Sequence, residues 1–252
     1  MNAITICVNF GDLLAVTLPR NAIHFDRVLV VSDHADEETA SVVASVSNAK
    51  LLKTNAFYQD GARLNKGAAM ESGLDLLGRT GWLCILDADT VLPPDAPLDD
   101  AFRHTGSGWL EPGNLYCPQR RMLYDVTLAQ HFGLIDWNAL PLHADEEWAG
   151  YCQIFHAADP VLAGRKNWYG VDWSHAGGCD SDFQMLWSRK KKLRPPFEVV
   201  HIGQDGQNWC GRATQRVDGT MPRGADENAA AMRRLMEERR ARRGAGHERI
   251  GG

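Results

Sequence analysis

Trp82-Leu83-Cys84-Ile85-Leu86-Asp87-Ala88-Asp89-Thr90-Val91-Leu92-Pro93-Pro94 is an apolar run that ends abruptly in two carboxylates. A run of this length, opened by Trp82 and closed by the two prolines, reads as a strand buried on both faces. Such strands belong to parallel sheets covered by helices, and ligands bind in the crevice outside their carboxyl ends. Asp87 and Asp89 stand at that end. With strand geometry carried through Ala88, both side chains face the same way. Two carboxylates about 5 Å apart repel by roughly 3 kcal/mol at an effective dielectric near 20. A divalent cation turns that repulsion into binding, so the pair points to a metal site for a phosphate-bearing ligand. The competing reading is two solvated aspartates opening a loop.

Upstream, the pattern predicts three βα units. Ile4 to Phe10 is apolar and β-branched and meets Gly11-Asp12, a strand and a turn. Leu13 to Ala22 reads as a short helix interrupted by Pro19. Arg27 to Ser32 reads as a second buried strand ending at Asp33. Ala35 to Val46 reads as a helix, with Asp36, Glu37 and Glu38 in the first turn where they complement its dipole. Lys50 to Lys53 is a third strand. Ala62 to Leu77 is the clearest helix, with Leu64, Gly67, Met70, Leu74 and Leu77 on one face and Gly78 at its stop. The order βα, βα, βα, β predicts an α/β fold, a mostly parallel sheet flanked by helices with right-handed crossovers.

Downstream of Pro97 the periodicity weakens. Tyr116 to Val126 reads as antiparallel strands, Cys152 to His156 as another strand, Asp182 to Leu193 as a helix and Phe197 to Ile202 as a late strand. Asn228 to Arg243 is a strong helix former rich in arginine, and Gly244 to Gly252 reads as a disordered tail.

Composition narrows the class. The 252 residues and 44% hydrophobic content suffice for one domain with a full core. A net charge of −5 excludes a polycation, although local basic patches remain. The opening Ile4-Thr5-Ile6-Cys7-Val8 lacks the pattern of a signal peptide, and no stretch reaches the roughly 18 apolar residues of a membrane span. The six cysteines form no Cys-x-x-Cys pair, which fits reduced core thiols of a cytoplasmic protein. There is no Gly-x-Gly-x-x-Gly and no P-loop.

Four further features fall at strand ends or in adjoining loops. Asp33 can accept hydrogen bonds from a ribose or base, or simply form a turn. Arg63-Leu64-Asn65-Lys66-Gly67 opens the best helix, and Lys66, off its apolar face, can meet a diphosphate in the crevice. In Gly177-Gly178-Cys179-Asp180-Ser181-Asp182-Phe183, the glycines permit close backbone approach. Asp182 fits an N-cap there, leaving Asp180 as a general base. His201 ends the late strand and can complete a carboxylate metal site, or be structural. Arg212, after Trp209, can bind phosphate bidentately.

Taken in order, Ile-Thr-Ile-Cys-Val-Asn, Val-Leu-Val-Val-Ser-Asp, Arg-Leu-Asn-Lys-Gly-Ala-Ala, Leu-Asp-Ala-Asp, Gly-Gly-Cys-Asp-Ser-Asp-Phe and His-Ile-Gly resemble the GT-A glycosyltransferases. The likeness is greatest to their family-two-like and galactosyltransferase-like branches, over roughly residues 3 to 212. It implies a Rossmann-like GT-A sheet. Residues 1–100 would form a nucleotide-sugar half, residues 101–221 an acceptor-binding and catalytic half of the same domain, and residues 222–252 a basic helix and tail. It implies that Asn9, Asp33 and Arg63 hold the nucleoside. Lys66 would approach the diphosphate, and Asn65 and Ala88 would belong to the donor site. Asp87 would meet the ribose or metal, while Asp89 and His201 would ligate Mn²⁺ or Mg²⁺. Asp180 would be the base of an inverting enzyme using a nucleotide-sugar donor. Where those relatives often carry Gly-Gly-Glu-Asp-Asp-Asp, Cys179 and Ser181 stand here, which leaves Asp180 and Asp182 both open as the base.

Tyr151, Trp168, Trp173 and Trp209 are the aromatic candidates for stacking an acceptor, with core packing as the alternative. The basic clusters Lys190 to Arg194 and Arg233 to Arg243 can follow a nucleic-acid backbone, or form a solvated face. Together with a small chain lacking a membrane span, they resemble phage enzymes that glycosylate hydroxymethylated pyrimidines in DNA. The rivals are transfer to a glycan, a haloacid-dehalogenase-like phosphatase with Asp87 as nucleophile, and a non-catalytic nucleic-acid or carbohydrate binding module.

Overall fold

The computed structural model describes residues 1–98, 109–144, 148, 150–204 and 206–247. Strands β1 (Asn2–Ile6), β2 (Arg27–Ser32), β3 (Ala49–Lys53) and β4 (Trp82–Leu86) alternate with helices α1 (Gly11–Ala22), α2 (Glu37–Ala44) and α3 (Lys66–Leu77). Then come β5 (Thr90–Val91), β6 (Leu115–Tyr116), β7 (Gln119–Leu123), β8 (Cys152–His156), β9 (Lys192–Leu193) and β10 (Glu198–Ile202). A short helix, Cys179–Gln184, precedes β9, and a long helix, Ala225–His247, closes the chain.

Seven strands form one sheet in the order β3-β2-β1-β4-β8-β6-β9. The first four are parallel, as the βα alternation requires, and β8 enters antiparallel beside β4. A second sheet, β5-β10-β7, is fed by the same chain that leaves β4. The apolar runs follow from double coverage. Ile4, Val31, Leu83 and Ile85 pack on α3 with Met70 and Leu74. The alternate residues Ala3, Val30, Cys84 and Leu86 pack on α1 with Leu14 and Leu18. Gly73 lets α3 lie close, because a Cβ there would overlap Ile4 and Val31 of the sheet. All six cysteines are buried and free. Among the described residues no helix is long and apolar enough to cross a membrane.

Several boundaries differ from the sequence reading, each for a tertiary reason. β1 stops at Ile6, because the Asn9 backbone turns to φ 62° and its N–H donates to Asp36 at 2.7 Å. α1 runs through Pro19 without interruption, its last turns held by Thr17 and Asn21. α3 begins at Lys66, since Asn65 is its N-cap and accepts the Ala68 N–H at 2.9 Å. The expected strands between Tyr116 and Val126 are β6 and β7, and they belong to different sheets. The expected helix from Asp182 to Leu193 is only six residues long and starts earlier. Trp187 is buried and donates to Asp159 at 2.8 Å, and Lys192 and Leu193 pair with β6 instead. The final helix extends to His247, into the stretch read as a tail, and 248–252 lie outside the described residues.

Candidate active site

The acid motif occupies a turn between the sheets. The Thr90 N–H donates to the Asp87 carbonyl at 3.1 Å, and the Ile202 N–H to the Asp89 carbonyl at 2.8 Å. The strand geometry expected through Ala88 therefore fails, and the two side chains take different partners, Lys66 for Asp87 and His201 for Asp89. α1 fastens the turn. Thr17 donates to the Ala88 carbonyl at 2.7 Å, and Asn21 bridges the Thr90 carbonyl (2.7 Å) and the Leu92 N–H (2.9 Å). Thr17 and Asn21 sit one helical turn apart, so both reach the same segment.

A cavity of about 630 Å³ opens at the carboxyl ends of β1 and β4. Lys66, Asp87, Asp89, Asp180 and His201 all line it. Lys66 Nζ lies 2.7 Å from Asp87 Oδ1 and 2.9 Å from Asp180 Oδ2. Burial opposes the ammonium charge, but Asp180 and Asp87 outweigh it and hold Lys66 well above its ordinary value. One cation serves two acids. Burial pushes the Asp180 carboxyl up, Lys66 pulls it down, and the neighbouring Asp87 adds to the rise. Burial likewise raises Asp89; His201 opposes the shift and Asp87 reinforces it.

Asp89 Oδ1 and His201 Nε2 are 3.5 Å apart, a contact too long for a good hydrogen bond. Asp89 Oδ1, His201 Nδ1 and Asp180 Oδ1 are buried without hydrogen-bond partners among the described residues. Buried polar atoms left unpaired are rare in proteins, and three of them gather at this cavity.

The cavity gathers Lys66, Asp87, Ala88, Asp89, Asp180 and His201, with Tyr151 and Trp209 on its walls. Eight other candidates do not line it. Asn9 serves through its backbone, donating to Asp36 and accepting from Arg212. Asp33 accepts the Ala35 N–H at 2.8 Å, closing its own turn. Arg63 is exposed, and Asn65 is spent on the helix cap and on the Val171 carbonyl at 2.6 Å. Asp182 is not an N-cap: Gly178 holds that position, and Asp182 accepts the Trp173 indole N–H at 2.9 Å. Trp168 is buried against Phe155, with Arg79 over its ring. Arg212 is 1% exposed and spends its donors on both oxygens of Asp12 and on the carbonyls of Asn9, Thr214 and Gln215. Binding phosphate would require breaking that set, so Arg212 is a structural tie between α1 and the last loop. The metal trio also divides. Asp87 turns to Lys66 while Asp89 faces His201, and among the described residues no three His, Cys, Asp or Glu side chains form a group that could hold a metal ion.

Other residues on the cavity wall escaped the sequence reading. Val8 and Phe10 follow β1, Arg120 lies over the Tyr151 ring at 4.7 Å, and Arg239 and Arg240 arrive from the final helix. Gly150 is essential to the shape, since a Cβ there would overlap the Asp180 carboxyl. Only Arg239 and Arg240 left a signal, as part of the basic cluster of the last helix, and nothing in their sequence position ties them to residue 87.

No protein-family model matches the chain, and no curated protein matches it. Solved structures of similar arrangement include 4-diphosphocytidyl-2C-methyl-D-erythritol synthase from Anaerococcus prevotii, at 11% identity and a TM-score of 0.44, over 93% of this chain and 97% of that one. The inositol-1-phosphate CTP transferase from T. maritima gives 8% and 0.47, over 81% and 89%. Glucosyl-3-phosphoglycerate synthase from Mycobacterium tuberculosis, solved with Mn²⁺, UDP and glucosyl-3-phosphoglycerate, gives 14% and 0.45, over 81% and 72%. At these values the likeness is one of general chain arrangement, and function has to be read from the cavity itself.

Proposed function

We propose that this cavity moves a glycosyl group from a nucleoside-diphosphate sugar to an acceptor hydroxyl, in a GT-A-like manner. The observation that carries the reading is the division of partners at the acid turn. One carboxylate is locked to Lys66, the other faces His201 with an unpaired oxygen, and a third carboxylate, Asp180, opens onto the same space.

The Asp89–His201 pair fits a divalent cation. Two donors bound to one small metal at about 2.1 Å stand roughly 3 to 3.5 Å apart, which matches the observed 3.5 Å. Mn²⁺ or Mg²⁺ there would be held by these two residues, with the sugar nucleotide supplying further oxygens, and would offset the charge of a departing diphosphate. Lys66, already in the cavity, donates to the same diphosphate. Asp180 takes the acceptor hydroxyl proton on its unpaired Oδ1, and its raised pKa brings it closer to the pH of reaction. One displacement of this kind inverts the anomeric centre. Tyr151 and Trp209 stand on the cavity wall with Arg120 and Arg239 over their rings.

A thermal-shift panel of UDP, GDP and their sugars, with and without Mn²⁺, tests the reading. A ligand at a hundred times its Kd adds about 2.7 kcal/mol of stability. The expected result is a nucleotide shift that requires the metal and is lost in Asp89→Ala, together with metal-dependent release of the nucleotide from its sugar. Phosphate release from a phosphomonoester without any nucleotide would instead assign Asp87 as a nucleophile and overturn the proposal.

A further inference from the structure

The final helix brings two guanidinium groups to the cavity, those of Arg239 and Arg240, and no acid among the described residues forms an ion pair with either. Asn228, Met232, Leu235 and Arg239 recur at helical spacing along one stripe of Ala225–His247. The first part of that stripe is anchored. Asn228 donates to the Arg212 carbonyl at 3.0 Å, and Ala231 and Met232 are buried with Cys210, against Trp209 and Leu235. Arg239, next on the stripe, lies over the Trp209 ring at 4.9 Å, and Arg240 joins it on the cavity wall. Trp209 in turn seats against Gly177, where a Cβ would overlap the indole. Arg239 is thus tied through Trp209 to the segment that carries Asp180, and Arg240 follows it on the same helix.

Two other cations of this region are spoken for. Lys66 is held by two aspartates and Arg212 by Asp12. Among the described residues, no ion pair or hydrogen bond from the Arg239 or Arg240 side chain is recorded, and His175 feels the Arg239 charge as a further push downward beyond that of burial. A guanidinium group suits a phosphate, which accepts two parallel N–H bonds from it.

We propose that Arg239 and Arg240 hold a phosphate group of a small-molecule acceptor, with Trp209 beneath it and Asp180 facing its hydroxyl. The word acceptor rests on the glycosyl-transfer reading; the anion site does not. A small molecule is favoured over duplex DNA because Glu237 and Glu238 interrupt the arginines of this helix, the site is concave, and the chain carries a net charge of −5.

Inorganic phosphate, titrated calorimetrically into the full chain with and without saturating UDP and Mg²⁺, tests the assignment. The expected result is phosphate binding to the UDP-loaded protein, weakened at least tenfold in R239Q/R240Q, with UDP affinity unchanged within twofold. R233Q/R234Q, exposed on the same helix, retains phosphate binding. R240Q alone gives a graded loss should the double variant fail to fold. Displacement of phosphate by UDP, or loss of UDP affinity in R239Q/R240Q, would place the arginines on the donor diphosphate and overturn the proposal. So would unchanged phosphate affinity, an equal loss in R233Q/R234Q, or stronger competition by a duplex oligonucleotide than by free phosphate. If no nucleotide binds while arginine-dependent phosphate affinity persists, glycosyl transfer fails and the anion site stands.

Discussion

Replacing Lys66 with Met removes the cation shared by two half-buried acids. Each Nζ–carboxylate contact, at 2.7 and 2.9 Å, is worth about 6 kcal/mol of Coulomb attraction at an effective dielectric of 20. Desolvation of the ammonium offsets most of that in the intact protein, so the attraction is not the cost of the mutation. The cost is the uncompensated charge left behind, about 3 to 5 kcal/mol for one partner of a buried pair. Asp87 is 29% exposed and Asp180 16%, so water screens part of it and the lower figure applies. The sign with pH follows from Asp180. A carboxylate whose folded pKa is raised favours the folded state below its unfolded value, and that contribution is lost as pH rises through the folded value. Without Lys66 the rise is larger. The variant's deficit is therefore greatest near pH 8 and shrinks toward pH 5 as Asp180 takes up a proton. Guanidinium denaturation at both pH values measures it, with an unchanged slope showing that the same surface unfolds. K66M/D180N should recover at least half of the loss. A deficit under about 1 kcal/mol at pH 8, or one of equal size at pH 5, would refute the reasoning.

Asn21→Ala unpairs the Thr90 carbonyl and the Leu92 N–H, and should cost about 2 to 4 kcal/mol and slow turnover by loosening the acid turn; stability retained within 0.5 kcal/mol, read by denaturation, would argue against the clamp. Gly150→Ala pushes the Asp180 carboxyl aside and should lower kcat at least a hundredfold, about 2.7 kcal/mol in the barrier, with a cooperative melt retained; steady-state kinetics alongside a melting curve checks both. Arg212→Met leaves Asp12 buried without its partner and should cost about 3 to 5 kcal/mol, with nucleotide affinity at low temperature changed less than twofold. A large affinity loss with little change in stability would return Arg212 to the phosphate.

Sequence alone determined the sheet that carries the site. Strands such as Arg27–Ser32 and Trp82–Leu86, apolar on both faces, can be satisfied only by a parallel sheet with helices on both sides, and that places Asp87 and Asp89 at a ligand-binding edge. It also offered Lys66, Asp180 and His201 as candidates, because each falls at a predicted strand or helix end on the side of the acid motif. What it did not contain was the choice of partners. Which partner each of Asp87 and Asp89 meets depends on a turn that Thr17 and Asn21 of α1 fasten. Arg212 looked like a phosphate ligand until Asp12, two hundred residues away, claimed it. Arg239 and Arg240 reach the cavity only because the final helix packs on Cys210 and Trp209. Local patterning fixes which residues lie on a strand or a helix face, whereas partner choice among charges follows from contacts distant in the chain, which no local pattern encodes.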